Sequence, residues 1–186
     1  MKRLFALLCL VVLLWGVGVR PAAAAIPEDV QKLLDTNECP VCILNEADLH
    51  GLDLASANLK IAVLVDANLV ETDLHDANLM LSDLEAANLT GANLANARMN
   101  GANLLRTTLA GADLSGAEMT QANLEDADLS GANLSNAVML SVTLGSANME
   151  NANLTGANLR GVNRSMVRFC NTTMPDGAIE NRDCGK

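Results

Sequence analysis

A chain of 186 residues, half of them apolar, with 22 Asp and Glu against 12 Lys and Arg, carries a formal charge of −10 at neutral pH and only 2% aromatic residues. An acidic surface repels nucleic-acid phosphate, and single strands find few aromatic platforms on which to stack, so nucleic acid is excluded as the expected ligand. The plain role of the charge is solubility for a molecule otherwise rich in Ala and Leu.

Residues 1–25 read as a secretory signal. Lys2 and Arg3 precede an apolar run from Leu4 to Val19, then come Pro21 and four alanines. Ala23 and Ala25 satisfy the small-residue rule for cleavage before Ile26. The rival reading is a membrane anchor, because the run is close to the lower length limit for spanning; Gly16, Gly18 and the Ala cluster favour cleavage. Cys9 follows Leu8, where a bacterial lipobox wants a small residue, so no lipid attachment is expected. Cleavage would leave nine Lys and Arg against 22 Asp and Glu, a net charge of −13, with Phe169 as the one aromatic residue among 161. Those residues make one domain, and no membrane contact is expected of them because their apolar positions are spaced rather than continuous.

Residues 26–41 are expected to cap the body of the chain. Pro27 suits a first helical turn, Glu28 and Asp29 suit the positive end of the dipole, and Val30, Leu33 and Leu34 share a face, which predicts a short helix over 27–36. Next comes Cys39-Pro40-Val41-Cys42. A redox Cys-x-x-Cys belongs at a helix start after a strand in a βαβ unit, and nothing here supplies that unit. A structural disulfide joining cap to body is the preferred reading, with reduced thiols and a thiol catalyst as alternatives.

From residue 44 to 159 one five-residue phrase repeats without slippage. Its last core position is Leu or Met in 24 consecutive copies: Leu44, Leu49, Leu54, Leu59, Leu64, Leu69, Leu74, Leu79, Leu84, Leu89, Leu94, Met99, Leu104, Leu109, Leu114, Met119, Leu124, Leu129, Leu134, Met139, Leu144, Met149, Leu154 and Leu159. Two residues earlier stands Ala in 18 of the 24, and between the two stands Asn or Asp in 17. On a helix, five residues advance about 500°, so successive leucines would scatter by some 140° and form no face. On a straight strand they would alternate sides, because five is odd. A bend in each phrase resets the parity and turns every Leu and Ala to one interior, so the chain must coil. Periodicity alone leaves three or four sides open; Gly51, Gly91, Gly111 and Gly131, spaced by multiples of twenty, speak weakly for four.

The phrase Ala-(Asn/Asp)-Leu-X-X, as in Ala87-Asn88-Leu89-Thr90-Gly91, strongly resembles the pentapeptide repeat family over 42–174. The resemblance implies an all-β solenoid, a right-handed quadrilateral β-helix, here with a short N-terminal capping helix. Past Leu159 the register is imperfect: Arg164 breaks the Leu column, Phe169 and Met174 rejoin it, and Val162 and Val167 take Ala places. From 44 to 174 there are 27 phrases. At roughly 4.8 Å between stacked strands, six to seven square coils make a rod about 30 Å long.

Residues 175–186 form the C-terminal cap and tail, opening with Pro175-Asp176-Gly177, a turn signal. Four cysteines permit three pairings; Cys39 with Cys42 and Cys170 with Cys184 is the expected one in an oxidising compartment. Signal, short helix, Cys-Pro-x-Cys and Leu-rich phrases together look like the exported pentapeptide proteins of cyanobacteria and their thylakoid-lumen relatives, which implies periplasm or thylakoid lumen.

The surface offers little chemistry. His50 and His75 lie just after a Leu, hence outward, on different coils, and no Cys/His cluster has zinc-ligand spacing. Asp53 and Asp73, twenty apart, with Asp76 nearby, suggest an acidic strip that falls short of a strong cation site. No catalytic residue, cofactor or metal is expected. The informative departure is apolar: Ile43, Ile61, Val63, Val65, Met80 and Leu81 occupy outward positions and gather at one edge of the early coils, as a contact site would. The expected function is a non-enzymatic exported scaffold, monomer or weak dimer, that binds an unidentified protein partner. Two alternatives stand beside it. Quinolone-resistance members of the family resemble DNA and occupy topoisomerases, but a signal segment opposes that cytosolic role; a Cys-x-x-Cys thiol protein is the other. Ice binding would need a file of Thr, and Thr90, Thr120 and Thr155 lie on different sides.

Overall fold

A computed structural model describes residues 24–185. The predicted signal segment therefore lies outside the described residues but for its last two positions. Within them the chain returns to itself every twenty residues. Parallel bridges join Glu38 to Asn58, Ile43 to Val63, Asp48 to Asn68 and Asp53 to Asp73, and the same i to i+20 pairing runs up to Asn153 with Thr173. Twenty residues are four phrases, so the interval that periodicity left open is four.

The hydrogen bonds show why each phrase has its composition. Leu44 N–H donates to Val63 O at 2.7 Å and Glu46 N–H to Val65 O at 2.8 Å, both one coil on; Ala47 N–H donates to Leu44 O at 3.1 Å, closing the bend; Asn68 N–H reaches back to Ala47 O at 2.9 Å. One amide per phrase, that of the residue after Leu, has no backbone acceptor. The Asn or Asp two residues before it supplies one: Lys60 N–H to Asn58 Oδ1, Val70 N–H to Asn68 Oδ1, Glu85 N–H to Asp83 Oδ1. This side-chain turn is what Asn and Asp do best. Their side chains also ladder between coils, with Asn68 Nδ2 donating to Asp48 at 2.8 Å and Asn103 Nδ2 to Asp83 at 2.8 Å. At two phrases without an Asx residue the coil before compensates: Val63 cannot accept, so Val65 N–H goes to Asn45 Oδ1 at 3.1 Å, and Thr120 N–H goes to Asn100 Oδ1 at 2.9 Å.

Inside, the Leu/Met column and the Ala column pack into one dry core with Phe169. Leu159 departs from the expectation of full burial: it is only partly buried, because the ladder above it fails. Thr143 has no bridge to residue 163, and Arg164, standing where a core Leu belongs, is exposed together with Asn163, Ser165 and Met166. An unpaired guanidinium cannot enter an aliphatic column, so the chain bulges outward there. Four polar residues replace Ala inside and each returns its hydroxyl to a backbone carbonyl: Thr72 to Leu49 O, Ser82 to Leu79 O, Thr107 to Leu104 O and Thr172 to Met149 O.

The ends are closed differently. Helix α1, Pro27–Thr36, has Pro in its first turn, acids Glu28 and Asp29 near its N-terminus and Asn37 as a left-handed C-cap. Leu33 alone in α1 is fully buried, and Leu34, expected on the same face, is exposed. Neighbouring helical positions diverge by about 100°, and a single layer of core beneath the helix covers only one of them. Asp29 ties α1 down by accepting Ile43 N–H at 2.8 Å. At the other end β1, Thr172–Thr173, pairs antiparallel with β2, Ile179–Glu180, around the Pro175-Asp176-Gly177 turn. Arg182 lies 4.8 Å above the Phe169 ring and donates to the carbonyls of Val167 and Arg164. Cys39 is bonded to Cys42 and Cys170 to Cys184.

Candidate functional site

The bend in each phrase places the second residue after Leu in the left-handed region, φ about +53 to +71° over most of the coils. Gly51, Gly91, Gly111 and Gly131 are at such bends, as are many Asn and Asp residues, which suits their tolerance of that conformation. Ser, Ala, Glu, Gln and Arg stand at other such bends, and three more hold large apolar side chains. Val41 (φ 63°), Ile61 (φ 60°) and Leu81 (φ 57°) stack at one corner, twenty residues apart, and the first two are β-branched, for which positive φ is a genuine outlier.

These strained corners are also exposed, Val41 by 66%, Ile61 by 44% and Leu81 by 56%, and Ile43, two residues on from the first, by 38%. Val63, bridged to Ile43, and Val65 and Met80 are half-buried beside them. Backbone pairing sets Val63 on Ile43 and Met80 beside Ile61, and it places Val41, which sequence reasoning assigned to the cap, at the corner of Ile61 and Leu81. The twenty-residue spacing 41, 61, 81 was the signal that could have found it. The column stops at Gly101, where an added Cβ would meet Leu81 Cδ2 at 2.7 Å, so the Leu81 side chain folds down over the next corner. Both signs of charge border the edge: Lys60 immediately precedes Ile61, Arg98 Nη2 lies 3.2 Å from Met80 Sδ, and Asp83 is the next rung after Val63.

Two polar clusters were placed less completely by the sequence. His50 Nδ1 lies 3.0 Å from Asp48 and His75 Nδ1 2.8 Å from Asp73, each histidine folding back on the Asx residue of its own phrase. The hydrogen bond to His75 and, for Asp48, to His50 holds each carboxyl below its ordinary value despite some desolvation. The same hydrogen bond raises His75, helped by the charges of Asp73, Asp76 and Asp53. Asp53 and Asp73 are bridged as expected, but Asp73 is committed to His75 and Asn93 and Asp53 to the amide of Ala55. Among the described residues, only Asp29, Cys39 and Cys42 bring three candidate ligand atoms within 4.8 Å of one another, and their sulfurs are spent on a disulfide. That disulfide is sealed, Cys39 being 0% and Cys42 3% exposed, which denies an attacking thiolate its approach to sulfur. Phe169, buried under Arg182, offers no stacking face. Among the described residues no helix is long and apolar enough to cross a membrane.

A five-residue phrase, a twenty-residue return and an interior filled chiefly by Leu and Ala define a repeat protein whose variation lies mainly on its surface. The chain belongs to the family described as pentapeptide repeats, which it matches in eight copies over residues 42–80, 87–126 and 139–174. No curated protein matches it by sequence. Among solved structures it is similar to HetL, a pentapeptide repeat protein involved in heterocyst differentiation regulation in the cyanobacterium Nostoc, at 25% identity over 74% of this chain and 91% of that one, with a TM-score of 0.46. It is similar to Rfr23 of the cyanobacterium Cyanothece at 23% identity over 80% and 95%, TM-score 0.36. It is also similar to a pentapeptide repeat protein of the Arabidopsis thaliana thylakoid lumen at 26% identity over 70% of each chain, TM-score 0.28.

Proposed function

We propose that this protein is a non-enzymatic interaction scaffold: a right-handed quadrilateral β-helix, closed by α1 at one end and the disulfide-bonded tail at the other, that presents the Val41–Ile61–Leu81 edge to a protein partner. The observation that carries the reading is the pairing of strain with exposure. A β-branched residue at a left-handed corner is costly, and the partial burial of Ile61 does no more than roughly offset that cost, so Gly or Asn at the same position would fold about as well. Folding therefore does not account for Val41 and Ile61, whereas an apolar contact surface does.

Export to an oxidising compartment, periplasm or thylakoid lumen, belongs to the same reading. Its supports are the signal-like segment 1–25 and the two disulfides, which persist where thiols are not kept reduced. The test is affinity capture from the exported fraction of the host with the wild-type protein and with Ile61→Lys/Leu81→Lys. The expected result is a partner held by the first and lost by the second, both having the same circular dichroism. Identical sets of captured proteins would remove the edge from the function.

A further inference from the structure

We propose that the Cys170–Cys184 bond is a thiol-exchange site, which a dithiol reductant opens at Cys184. Opening it frees the stretch after β2 to leave the last coil and uncover Phe169, while the Cys39–Cys42 bond stays closed.

The two disulfides stand in opposite settings. Cys39 and Cys42 are buried beneath α1, with Cys39 Sγ 3.1 Å from Asp29 O. Cys184 is exposed and Cys170 half-buried. Exchange requires a thiolate to reach a disulfide sulfur, so access alone separates the two bonds and selects Cys184 as the residue attacked. Attack there forms a mixed disulfide between the reductant and Cys184 and expels Cys170 as a thiolate, which takes a proton from water. The second thiol of the reductant then attacks its own sulfur in the mixed disulfide and expels Cys184. In balance, the dithiol loses two electrons and two protons and becomes a disulfide, and the protein disulfide gains them as two thiols.

The tail is built so that this bond governs it. In the coil before, Met149 N–H donates to Arg168 O at 2.9 Å and Asn151 N–H to Cys170 O at 2.8 Å, each nineteen residues on. On the last coil tail side chains stand in for those carbonyls: Phe169 N–H donates to Asp183 Oδ2 at 3.1 Å and Asn171 N–H to Asn181 Oδ1 at 2.8 Å. Asp183 N–H returns to Phe169 O at 3.0 Å, and Arg182 covers the ring. None of residues 175–185 is buried, and Ile179 is 52% exposed. The tail therefore contributes almost no apolar burial, and once the bond opens only these polar contacts and the two-residue pairing of β1 with β2 oppose its leaving. Helix α1 is different, because Leu33 is fully buried and Asp29 accepts Ile43 N–H, so the N-terminal cap does not hang on its disulfide. The reduced protein would present an aromatic ring and two unanswered amides at one end of the rod.

The test is stepwise reduction of the oxidised protein with dithiothreitol, alkylation of the thiols formed, and identification of the labelled peptides by mass, with hydrogen exchange followed on the same samples. Cys170 and Cys184 should take label together, at least roughly tenfold faster than Cys39 and Cys42. The amides of Phe169 and Asn171 should then exchange at least roughly tenfold faster, with that of Leu124 unchanged, and oxidised glutathione should restore their protection. Cys170→Ser/Cys184→Ser should show the fast exchange without reductant and no further response to it. Reduction of Cys39–Cys42 first or in step overturns the proposal. So does unchanged protection of Phe169 and Asn171 after Cys170 and Cys184 are reduced, or a double variant as protected as the oxidised wild type.

Discussion

Replacing Ile61 by Asn tests whether the apolar edge serves the fold. Ile61 is 44% exposed, so a little over half of its surface is withdrawn from water. Full burial of an Ile contributes about 1.5–3 kcal/mol, and removal of this side chain therefore costs about 1–1.5 kcal/mol. Against that, a left-handed backbone costs an L-residue about 1–2 kcal/mol, most of which Asn avoids. Asn96, Asn136 and Asn151 already occupy equivalent corners at φ 57–59°. The amide of residue 61 continues to donate to Met80 O. The two effects nearly cancel, so the net change should be within about 1 kcal/mol of zero, or a few degrees of Tm for a chain of this size. Leu64→Ala, three residues on and fully buried, should cost about 2–5 kcal/mol. Urea denaturation followed by circular dichroism measures both. A loss above about 2 kcal/mol for Ile61→Asn would mean that the corner is packed rather than presented, and the functional reading of its strain would fall.

Along the core, Leu124→Ala should cost about 2–5 kcal/mol, while Leu159→Ala, at a partly buried position under the bulge, should cost clearly less in the same assay. Two opposed limbs should shape the pH dependence. Asp48 and Asp73, held below the ordinary 3.8, contribute stability that is present above that value and lost as pH falls through their depressed pKa; His75, raised above 6.5, contributes stability that is complete below 6.5 and lost as pH rises through its raised pKa. Thermal melts across pH should therefore lose their alkaline limb in His75→Gln and keep the acid limb of Asp48; an unchanged profile would refute the coupling. Cys170→Ser/Cys184→Ser opens a loop of 14 residues' separation and should destabilise by about 3 kcal/mol in the chain-entropy account, read as a lower urea midpoint. Cys39 and Cys42 should resist labelling under mild reductant until the protein unfolds, and early labelling would show their seal to be open.

How much of this was legible in the sequence depended on whether the controlling interaction is local. The coil follows from parity, since five residues can turn every Leu inward only if each phrase bends, and α1 follows from Pro27, Glu28 and Asp29. The number of sides is not local: it is fixed by which carbonyl Leu44 N–H meets, nineteen residues away, and a phrase has no internal mark of that distance. The same holds for the site. Ile61 and Leu81 stood out as apolar residues in polar places, but Val41 lay within Cys-Pro-Val-Cys, where the cysteines draw the eye. Its place at the same corner shows in the backbone, where Val41 N–H donates to Lys60 O as Ile61 N–H does to Met80 O. The His75–Asp73 pair was missed for a different reason, since a two-residue separation looks unremarkable until the Asx turn folds the chain back on itself.

The division of labour within the phrase explains why function is to be sought at its outward positions. Leu and Ala fill the interior, Asn or Asp answers the one amide the backbone leaves over, and the left-handed corner wants a residue that tolerates positive φ. The residue just after Leu contributes its amide to the Asx turn but is otherwise free, so Val, Glu, His or Thr stands there without disturbing the coil. Where a free position is apolar little can be concluded, but where a constrained one holds the wrong residue the fold has been made to bear a strain it did not need. Val41, Ile61 and Arg164 are such residues, the first two at corners and the third in the Leu column. The first two are exposed, as the proposed docking edge requires, whereas the third is accommodated by the bulge that interrupts the ladder at residues 163–166.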